Sequence, residues 1–452
     1  MSILRSSIIQ TPYQWFHYYF LSEKPANVNI ADLEFSTDMS KSINKLKHPW
    51  KINDIVHYSF LSSVILFVYI IFPASFIIKT FILSVFVSCF LIPLTGQFFI
   101  HALPIFCWLA LFFTCGKIPH EWKPAISVKF LPAMETILYG DNLSNVLASV
   151  TTSILDVFAW LPYGIVHFSS PFIVAILIFI FGPPTSLRSF GFAFGYMNLL
   201  GVLTQIVFPA APPWYKNLYG LQPANYSMSG SPGGLGRIDE LLGVDMYTTA
   251  FSNSPVIFGA FPSLHSGCAV MDVLFLCWLF PKYKYVWWSY ACWLWWSTMY
   301  LTHHYFIDLI GGALLAFVVF NYTKYNHLPI MSPNKFCRWS YSEIKLINIE
   351  ELNPLNFNYN EFIYNDIELH EIPEEPVSFP SSSNSNLPLP NNYPYPYDSR
   401  SRQASKIFLN NQILEEEETS SFENSATTSV FDEVEQLTTI NSNSSDDYRK
   451  KN

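Results

Sequence analysis

Residues 258–267 read FGAFPSLHSG, and residues 301–308 read LTHHYFID. Each stretch places histidine at the edge of a long apolar segment, which begins at Ser266 in the first case and at Phe306 in the second. An ionisable side chain at the edge of a membrane span is costly unless it has a partner or a task. The two stretches therefore predict a helical membrane protein with a functional site where two of its spans begin.

The composition agrees with a membrane protein. Half of the 452 residues are hydrophobic, 17% are aromatic and only 13% are charged, which is well below the charge of soluble domains. Residues 331–452 hold 20 acidic and 9 basic side chains, whereas the first 330 residues hold 14 acidic and 16 basic ones. The net charge of −9 is therefore a property of the C-terminal segment, and we expect no nucleic-acid partner.

Eight apolar segments, extended by aromatic flanks, predict membrane-spanning helices: 56–78, 81–115, 146–167, 171–182, 190–210, 266–280, 285–301 and 306–322. We predict an all-α polytopic membrane protein in which about two leading transmembrane helices precede a six-helix core. The segment 81–115 is also long enough for a kinked span plus a re-entrant piece around Pro93 and Pro104.

The positions of Lys and Arg predict the orientation, with both termini in the cytosol. The predicted domains are a cytosolic segment 1–55, leading helices and a cytosolic loop in 56–145, a catalytic core in 146–330 and an acidic cytosolic tail in 331–452. The tail cannot bury enough apolar surface to fold and is predicted to be disordered. This topology places the loop 211–261 and both histidine stretches on the non-cytosolic face.

The histidines permit chemistry at phosphorus. Histidine is a good nucleophile when a carboxylate holds its far nitrogen, and Asp308 follows His304 by four residues, a spacing that shares one face of a helix. His265 could then act as a general acid and afterwards as a base. His303 is the weaker nucleophile, because its five-residue spacing from Asp308 turns it off that face. The alternative is a buried ion pair between helices, which the second histidine stretch on the same face disfavours.

Four more residues are candidates for binding a phosphate. Ser263 and Ser266 lie near a helix start and could offer hydroxyl and N–H donors, although plain N-capping explains them at least as well. Lys216 and Arg237 are the only cations in the loop 211–261, and a solvated surface charge is the alternative for each. No three ligands have metal spacing, so we predict neither a metal nor a cofactor.

Two short motifs resemble the type 2 phosphatidic acid phosphatase superfamily, whose members share a six-helix core. Its second signature, PSGH, reads PSLH at 262–265, and its third, SR-x5-H-x3-D, has Thr298 in place of the arginine. Its first signature, K-x6-RP, is not matched, because Lys216 is followed by Gln222-Pro223. A phosphomonoester carries nearly two negative charges and a phosphodiester one, so the missing arginines favour a phospholipid headgroup transferase over a lipid phosphate phosphatase, the nearest rival.

A different class, a non-catalytic lipid-binding or transport protein, would need polar residues spread through the spans. The apolar segments contain few such charges, chiefly Asp156 and Asp272. We expect each of these two acids to serve helix packing or to lie near an interface.

Longer strings resemble the fungal inositol phosphorylceramide synthase family: FGAFPSLHSGCAVM at 258–271, STMYLTHHYFIDLIGG at 297–312 and FPAAPPWYKNLYGLQPANYSM at 208–228. The resemblance implies transfer of inositol phosphate from phosphatidylinositol to the primary hydroxyl of (phyto)ceramide, with release of diacylglycerol. It also implies a Golgi membrane location with a lumenal active site, a small membrane regulatory subunit as partner, and sensitivity to the antibiotic aureobasidin A.

Overall fold

The structure of the protein is a computed structural model that describes residues 7–47 and 49–346. Within these residues the regular secondary structure is helical, apart from isolated bridges that join Ser127 to Ala210 and Ala210 to Gly259. The predicted all-α membrane fold is confirmed. The α-helices are α1 Ser7–Phe16, α2 Met39–Leu46, α3 Ile52–Ile71, α4 Phe76–Leu91, α5 Pro93–Phe99, α6 Leu103–Cys115, α7 Phe130–Tyr139, α8 Leu143–Ala148, α9 Ser153–Trp160, α10 His167–Phe181, α11 Ser186–Val207, α12 Pro213–Tyr219, α13 Gly236–Leu242, α14 Tyr247–Ser252, α15 Leu264–Leu279, α16 Lys284–Tyr300 and α17 Phe306–Asn326.

Several helices have the length and apolarity of a membrane span. Four described helical segments qualify by themselves: Ile52–Ile71, Ser153–Phe181, Ser186–Val207 and Phe306–Asn326. The pair α4 and α5 qualifies jointly but is bent by 103°, and α6 and α15 are shorter apolar helices. Large hydrophobic side chains are exposed along α3, α4 and α10, as expected where helices face lipid rather than water.

Two of the predicted spans prove to be one helix. Most of segment 146–167 and of segment 171–182 belongs to the continuous Ser153–Phe181, in which α9 passes through a π-helical stretch, Leu161–Val166, into α10. The prediction took Pro171 as a boundary, but this proline lies inside α10, where tertiary packing tolerates it.

The opposite correction applies to segment 81–115. It divides into α4, α5 and α6, with Pro93 and Pro104 in the first turns of α5 and α6, where proline is well accommodated. The prediction counted one span here, or a kinked span plus a re-entrant piece; the structure has α4, bent by 103° against α5, followed by the shorter α6. The described residues thus form a bundle of eight apolar helical segments, of which α6 and α15 are short: α3, α4, α6, α9–α10, α11, α15, α16 and α17.

The loop 116–152 lies at the same end of the bundle as the loop 208–263. The Ser127 amide donates to Pro209, the Tyr226 hydroxyl donates to the Pro124 carbonyl, and the Ser144 hydroxyl donates to the Met299 carbonyl. The prediction placed these two loops on opposite faces of the membrane, which is wrong. The error follows from the span counts, because a missed reversal within 81–115 inverts the side on which the next loop lies.

The start of α15 crosses α17 at very close range. A Cβ atom at Gly312 would lie 2.1 Å from the Ser263 carbonyl oxygen, and one at Gly267 would lie 2.6 Å from the Met197 sulfur. Glycine at these positions lets α15 and α17 pack backbone to backbone, as small residues do between membrane helices, and leaves room for the Met197 side chain of α11. The contact brings the helix start that bears His265 beside the start of α17.

Residues 331–346, which the sequence assigned to the tail, pack against the N-terminal part of the chain. Arg338 is buried and donates from Nε and Nη2 to the Ala31 carbonyl, and its guanidinium lies 4.0 Å from the Phe179 ring centre. The Cys337 thiol donates to the Phe20 carbonyl. The rest of the predicted tail, 347–452, lies outside the described residues, and its predicted disorder stays a prediction.

Candidate active site

Hydrogen bonds between side chains and backbone groups fix the segment that leads into His265. The Gln205 side chain donates from Nε2 to the carbonyls of Gly259 and Pro262, at 2.9 and 3.0 Å. The Ser263 hydroxyl accepts the Ser266 amide at 3.3 Å and so caps α15, which satisfies one of the free N–H groups at a helix start. His265 is the second residue of this capped helix.

His304 lies in the turn between α16 and α17. Thr302 adopts a φ of 62°, a left-handed conformation that is uncommon outside glycine and reverses the chain. His304 therefore precedes α17, and Asp308 lies in the first turn of that helix. The prediction that His304 and Asp308 share a helix face is therefore wrong. They contact each other across the helix start instead, with 3.3 Å between His304 Nδ1 and Asp308 Oδ2.

The two histidine stretches meet. His265 Nδ1 lies 3.0 Å from His304 Nε2. An ionised carboxylate can only accept, so Nδ1 of His304 donates to Asp308, and Nε2 of His304 accepts a hydrogen bond from His265 Nδ1. This order assigns the lone pair of His304 to Nε2, the nitrogen that faces His265.

The site is enclosed by side chains that the sequence did not single out. Tyr163 stacks on the rings of both His265 and His303, with centroids 4.7 and 5.3 Å apart, and His167 lies 4.8 Å from His265. The Tyr163 hydroxyl and His167 Nδ1 are buried without a hydrogen-bond partner among the described residues. Their four-residue spacing was the available signal, but it lay in the helix that had been divided in two.

His303 is held apart from the pair. Its Nε2 lies 3.0 Å from the Pro232 carbonyl and donates to it, and Phe251 stacks on its other face. Burial, reinforced by the neighbouring His304, lowers the pKa of His303 to about 3. A neutral ring with one nitrogen tied to a carbonyl suits a structural role, in keeping with its prediction as the weaker nucleophile.

The candidate serines are buried rather than open to a ligand. Beyond the cap that Ser263 provides, the Ser266 hydroxyl donates to the Leu309 carbonyl at 2.6 Å. Both side chains are fully buried. The alternative of N-capping therefore describes Ser263, and Ser266 ties α15 to α17.

Arg237 is paired with Asp156. Its Nη2 lies 2.6 Å and its Nε 2.9 Å from Asp156 Oδ1, which also accepts the Tyr300 hydroxyl. Burial works against the charge of Arg237, but the hydrogen bonds and charge of Asp156 outweigh it and raise the arginine pKa. Asp156 thus has the helix-packing partner that was expected of it, and Arg237 is an anchored cation at this end of the bundle.

The other acid within a span, Asp272, is also engaged in packing. It is fully buried in α15, and its Oδ2 accepts the Ser170 hydroxyl of α10 at 2.7 Å. Lys216 is partly exposed on α12, and no hydrogen bond joins it to the histidines in the described part of the chain. The α12 backbone does reach the site, because the Trp214 amide donates to the Thr302 carbonyl.

Among residues 7–47 and 49–346, no cluster of three His, Cys, Asp or Glu side chains has the arrangement of a metal site. The absence of a metal or a cofactor remains a prediction. The reactive groups that the geometry offers are an imidazole lone pair, a carboxylate behind it and a second imidazole in front of it.

Comparisons with known proteins show the family of this chain. Residues 131–322 match the model of the PAP2 superfamily. The chain is 61% identical to the inositol phosphorylceramide synthase of Candida albicans, over 97% of this chain and 96% of that protein. It is 58% identical to the inositol phosphorylceramide synthase catalytic subunit of Saccharomyces cerevisiae, over 76% of this chain and 86% of that one. The chain belongs to the inositol phosphorylceramide synthase family.

A bacterial protein is more distantly similar. The phosphoinositol dihydroceramide synthase of Bacteroides thetaiotaomicron is 28% identical, over 50% of this chain and 76% of that protein. No solved structure matches the chain significantly. The resemblance to inositol phosphorylceramide synthases, predicted from the motifs, is confirmed. The superfamily match contains His265, His304 and Asp308.

Proposed function

We propose that this protein transfers inositol phosphate from phosphatidylinositol to the primary hydroxyl of a ceramide and releases diacylglycerol. The hydrogen-bonded series Asp308, His304 and His265 carries the proposal. It supplies a nucleophile, an orienting carboxylate and a proton carrier at one end of a membrane bundle, as headgroup transfer requires. The names of the relatives, which are synthases of inositol phosphorylceramide, support the choice of substrates.

The first step forms a phosphohistidine. His304 Nε2 attacks the phosphorus of phosphatidylinositol, while Asp308 holds the Nδ1 proton and offsets the positive charge that develops on the ring. The bond from phosphorus to the diacylglycerol oxygen breaks, and His265, in its protonated form, gives that oxygen a proton. Inositol phosphate is then attached to His304 and diacylglycerol is free to leave.

The second step reverses these roles. His265, now neutral, takes the proton from the ceramide hydroxyl as its oxygen attacks phosphorus, and the bond from phosphorus to His304 Nε2 breaks. The product is inositol phosphorylceramide, and both histidines return to their starting forms. No proton or electron is left unaccounted for, and neither step calls on a metal or a cofactor.

The resting pair must open to admit the phosphodiester. An attacking nitrogen about 3 Å from phosphorus, and an acid in hydrogen-bond contact with a leaving oxygen on the far side, need roughly 7 Å between them. His265 Nδ1 and His304 Nε2 are 3.0 Å apart. Binding of the donor lipid therefore replaces their hydrogen bond, and the empty site keeps each nitrogen satisfied.

Thr298 favours the transferase over the phosphatase. In this position the superfamily signature has an arginine, whereas the Thr298 side chain is buried and donates to the Trp295 carbonyl. The site thus lacks one of the cations with which a phosphatase would hold a doubly charged monoester. A singly charged diester is the better fit.

Further contacts belong to the same proposal. Arg237 and Lys216 remain the candidate cations for the donor headgroup, because their loop packs on the histidine turn: the Gly234 amide donates to the Leu301 carbonyl. Ser263 and Ser266 support the phosphate site through the helix start that they fix, and not through free hydroxyls.

We also propose the Golgi membrane as the location, with the active site on the lumenal face and both termini in the cytosol. Lys51, Arg188, Lys282 and Lys324 lie at the end of the bundle opposite the histidines and support this orientation, whereas Lys117, Lys123 and Lys129 lie at the histidine end. A small membrane regulatory subunit is the proposed partner, in line with the term catalytic subunit in the name of the Saccharomyces cerevisiae relative. Aureobasidin A is the proposed inhibitor.

One assay separates this function from its rivals. Purified protein in mixed micelles with ceramide and inositol-labelled phosphatidylinositol should form labelled inositol phosphorylceramide. Release of phosphate from phosphatidate without transfer would indicate a phosphatase. Binding of either lipid without any product would indicate a lipid-binding protein and would contradict the proposal.

A further inference from the structure

A buried carboxylate outside the histidine series holds the start of α17. Glu135, in α7, is fully buried. Its Oε1 accepts the Ile307 amide at 3.0 Å, and its Oε2 accepts the Leu143 amide at 3.2 Å. These amides belong to the first turns of α17 and α8, where N–H groups have no partner within the helix. One side chain therefore caps the N-termini of two helices.

The contact is adjacent to the reacting groups. Ile307 directly precedes Asp308, so the amide that Glu135 holds fixes the turn from which Asp308 reaches His304. A second link runs beside it, from the Ser144 hydroxyl of α8 to the Met299 carbonyl at the end of α16. Helices α7 and α8 thus brace both ends of the histidine turn.

The Glu135 carboxylate forms no ion pair among the described residues. In the described part of the chain no Lys, Arg or His nitrogen lies within 4.0 Å of its carboxylate. Its negative charge therefore adds to that of Asp308 behind His304. The other titratable groups that face this cluster are His265 from α15, Tyr163 and His167 from the helix 153–181, His303 and Tyr305 from the turn, and Tyr139 from α7 itself.

We propose that Glu135 is a positioning residue for the transfer reaction: it holds Asp308 in line with His304 and stabilises the cationic ring that forms when His304 attacks phosphorus. The inference rests on the proposed function. It gives a role in the site to the loop 116–152, which the sequence placed on the other side of the membrane. An anion at the start of α17 is also favoured by the helix dipole.

The test compares Glu135→Gln with wild type in the micelle assay, as kcat, KM for phosphatidylinositol and the pH dependence of kcat. We expect kcat to fall by about tenfold, a size typical of partners that orient a reactive group, with KM within about twofold of wild type. The acid limb should move to lower pH, because loss of a negative charge makes protonation of the histidine cluster less favourable. Glu121→Gln, an exposed carboxylate on the same loop, is the matched control and should leave all three unchanged.

Two further variants separate charge from packing. Ser144→Ala removes the neighbouring brace without a change in charge, and should lower the thermal midpoint but leave the pH profile in place. If Glu135→Gln does not fold, Glu135→Asp decides: a lower kcat at unchanged KM supports the role, and wild-type kcat overturns it. An unchanged kcat and pH profile in a folded Glu135→Gln also overturns it. Wild type without product would instead contradict the proposed function.

Discussion

The tautomers of two histidines determine what the site can do. Because Asp308 accepts the Nδ1 proton of His304, the other ring nitrogen is free to attack, and it faces His265 at 3.0 Å. A ring held in this way already has the orientation that attack on phosphorus requires. Such positioning before the reaction contributes to the rate. The most direct predictions therefore concern single residues.

Asp308→Asn should preserve the shape of the site but reverse the tautomer of His304. An asparagine amide can donate to Nδ1, which would place the proton on Nε2 and remove the attacking lone pair. We expect kcat to fall by about 10⁴-fold, as found when the aspartate of a serine–histidine–aspartate triad is changed in this way. The measurement is formation of labelled inositol phosphorylceramide, with exposed Asp245→Asn as the control. A loss of less than tenfold would contradict the role of Asp308.

The covalent intermediate should be observable. With inositol-labelled phosphatidylinositol and no ceramide, wild-type protein should retain label after denaturation and alkaline quenching, because the second step lacks its acceptor. Adding ceramide before the quench should discharge the label into product. His304→Ala should carry none, whereas label on that variant would place the nucleophile elsewhere.

Protonation of His303 should limit stability in acid. Its pKa is lowered from 6.5 to about 3, chiefly by burial, so between these values the unfolded chain binds a proton that the folded protein does not. Stability is then fully present above pH 6.5 and declines as the pH falls towards 3. The thermal midpoint in detergent should fall across this range, and more steeply in wild type than in His303→Gln. Equal slopes for the two proteins would contradict the assignment.

At the scale of elements, the site depends on the close crossing of α15 and α17. The Ser263 amide donates to the Asp308 carbonyl, the Ser266 hydroxyl donates to the Leu309 carbonyl, and Gly312 leaves no room for a side chain. These backbone contacts set the distance between His265 and His304 without help from the rings themselves. A substitution at the crossing should therefore lower the transfer activity.

Gly312→Ala should separate the two helices. The added Cβ would stand 2.1 Å from the Ser263 carbonyl oxygen, and backbone cannot yield as a flexible side chain does. We expect a cost of about 1–3 kcal/mol, typical of overpacking, together with a loss of transfer, because the backbone contacts that place the helix starts bearing His265 and Asp308 are disrupted. Gly236→Ala is the matched control, since its nearest contact would be an ordinary 3.4 Å. Thermal unfolding and the transfer assay measure the two effects, and wild-type values for both in Gly312→Ala would contradict this account.

At the scale of the whole molecule, the sequence predicted those features that depend on residues close together in the chain. Apolar length and aromatic flanks indicated an all-α membrane bundle, and the histidine motifs indicated that Asp308, His304 and His265 would meet. Glu135 had no such signal, because its partner Ile307 is 172 residues away in the chain. Proline also misled the count: Pro171 lies within a helix, whereas Pro93 and Pro104 begin new ones. Which prolines interrupt a span is decided by the packing around them.

The corrected topology makes a prediction about sidedness. Residues 121 and 217 lie in the two loops that pack together beside the histidines, whereas residue 282 lies between α15 and α16 at the other end. Glu121→Cys and Asn217→Cys should therefore react with a membrane-impermeant maleimide from the same side of sealed vesicles. Lys282→Cys should react only from the opposite side. All three positions are exposed, so access to the reagent is limited by the membrane and not by burial.

The labelling is best done with Cys292→Ser as the parent, because Cys292 is the exposed native thiol among the seven cysteines. Vesicles opened with detergent give the full extent of reaction for each position. The eight-span prediction from sequence has the loop at residue 121 on the side of residue 282, so the experiment decides between the two topologies directly. Labelling of Glu121→Cys together with Lys282→Cys would contradict the packing of the loop 116–152 on the active-site end. It would also remove the basis for Glu135 as a support of Asp308, because the two side chains would then lie on opposite sides of the membrane.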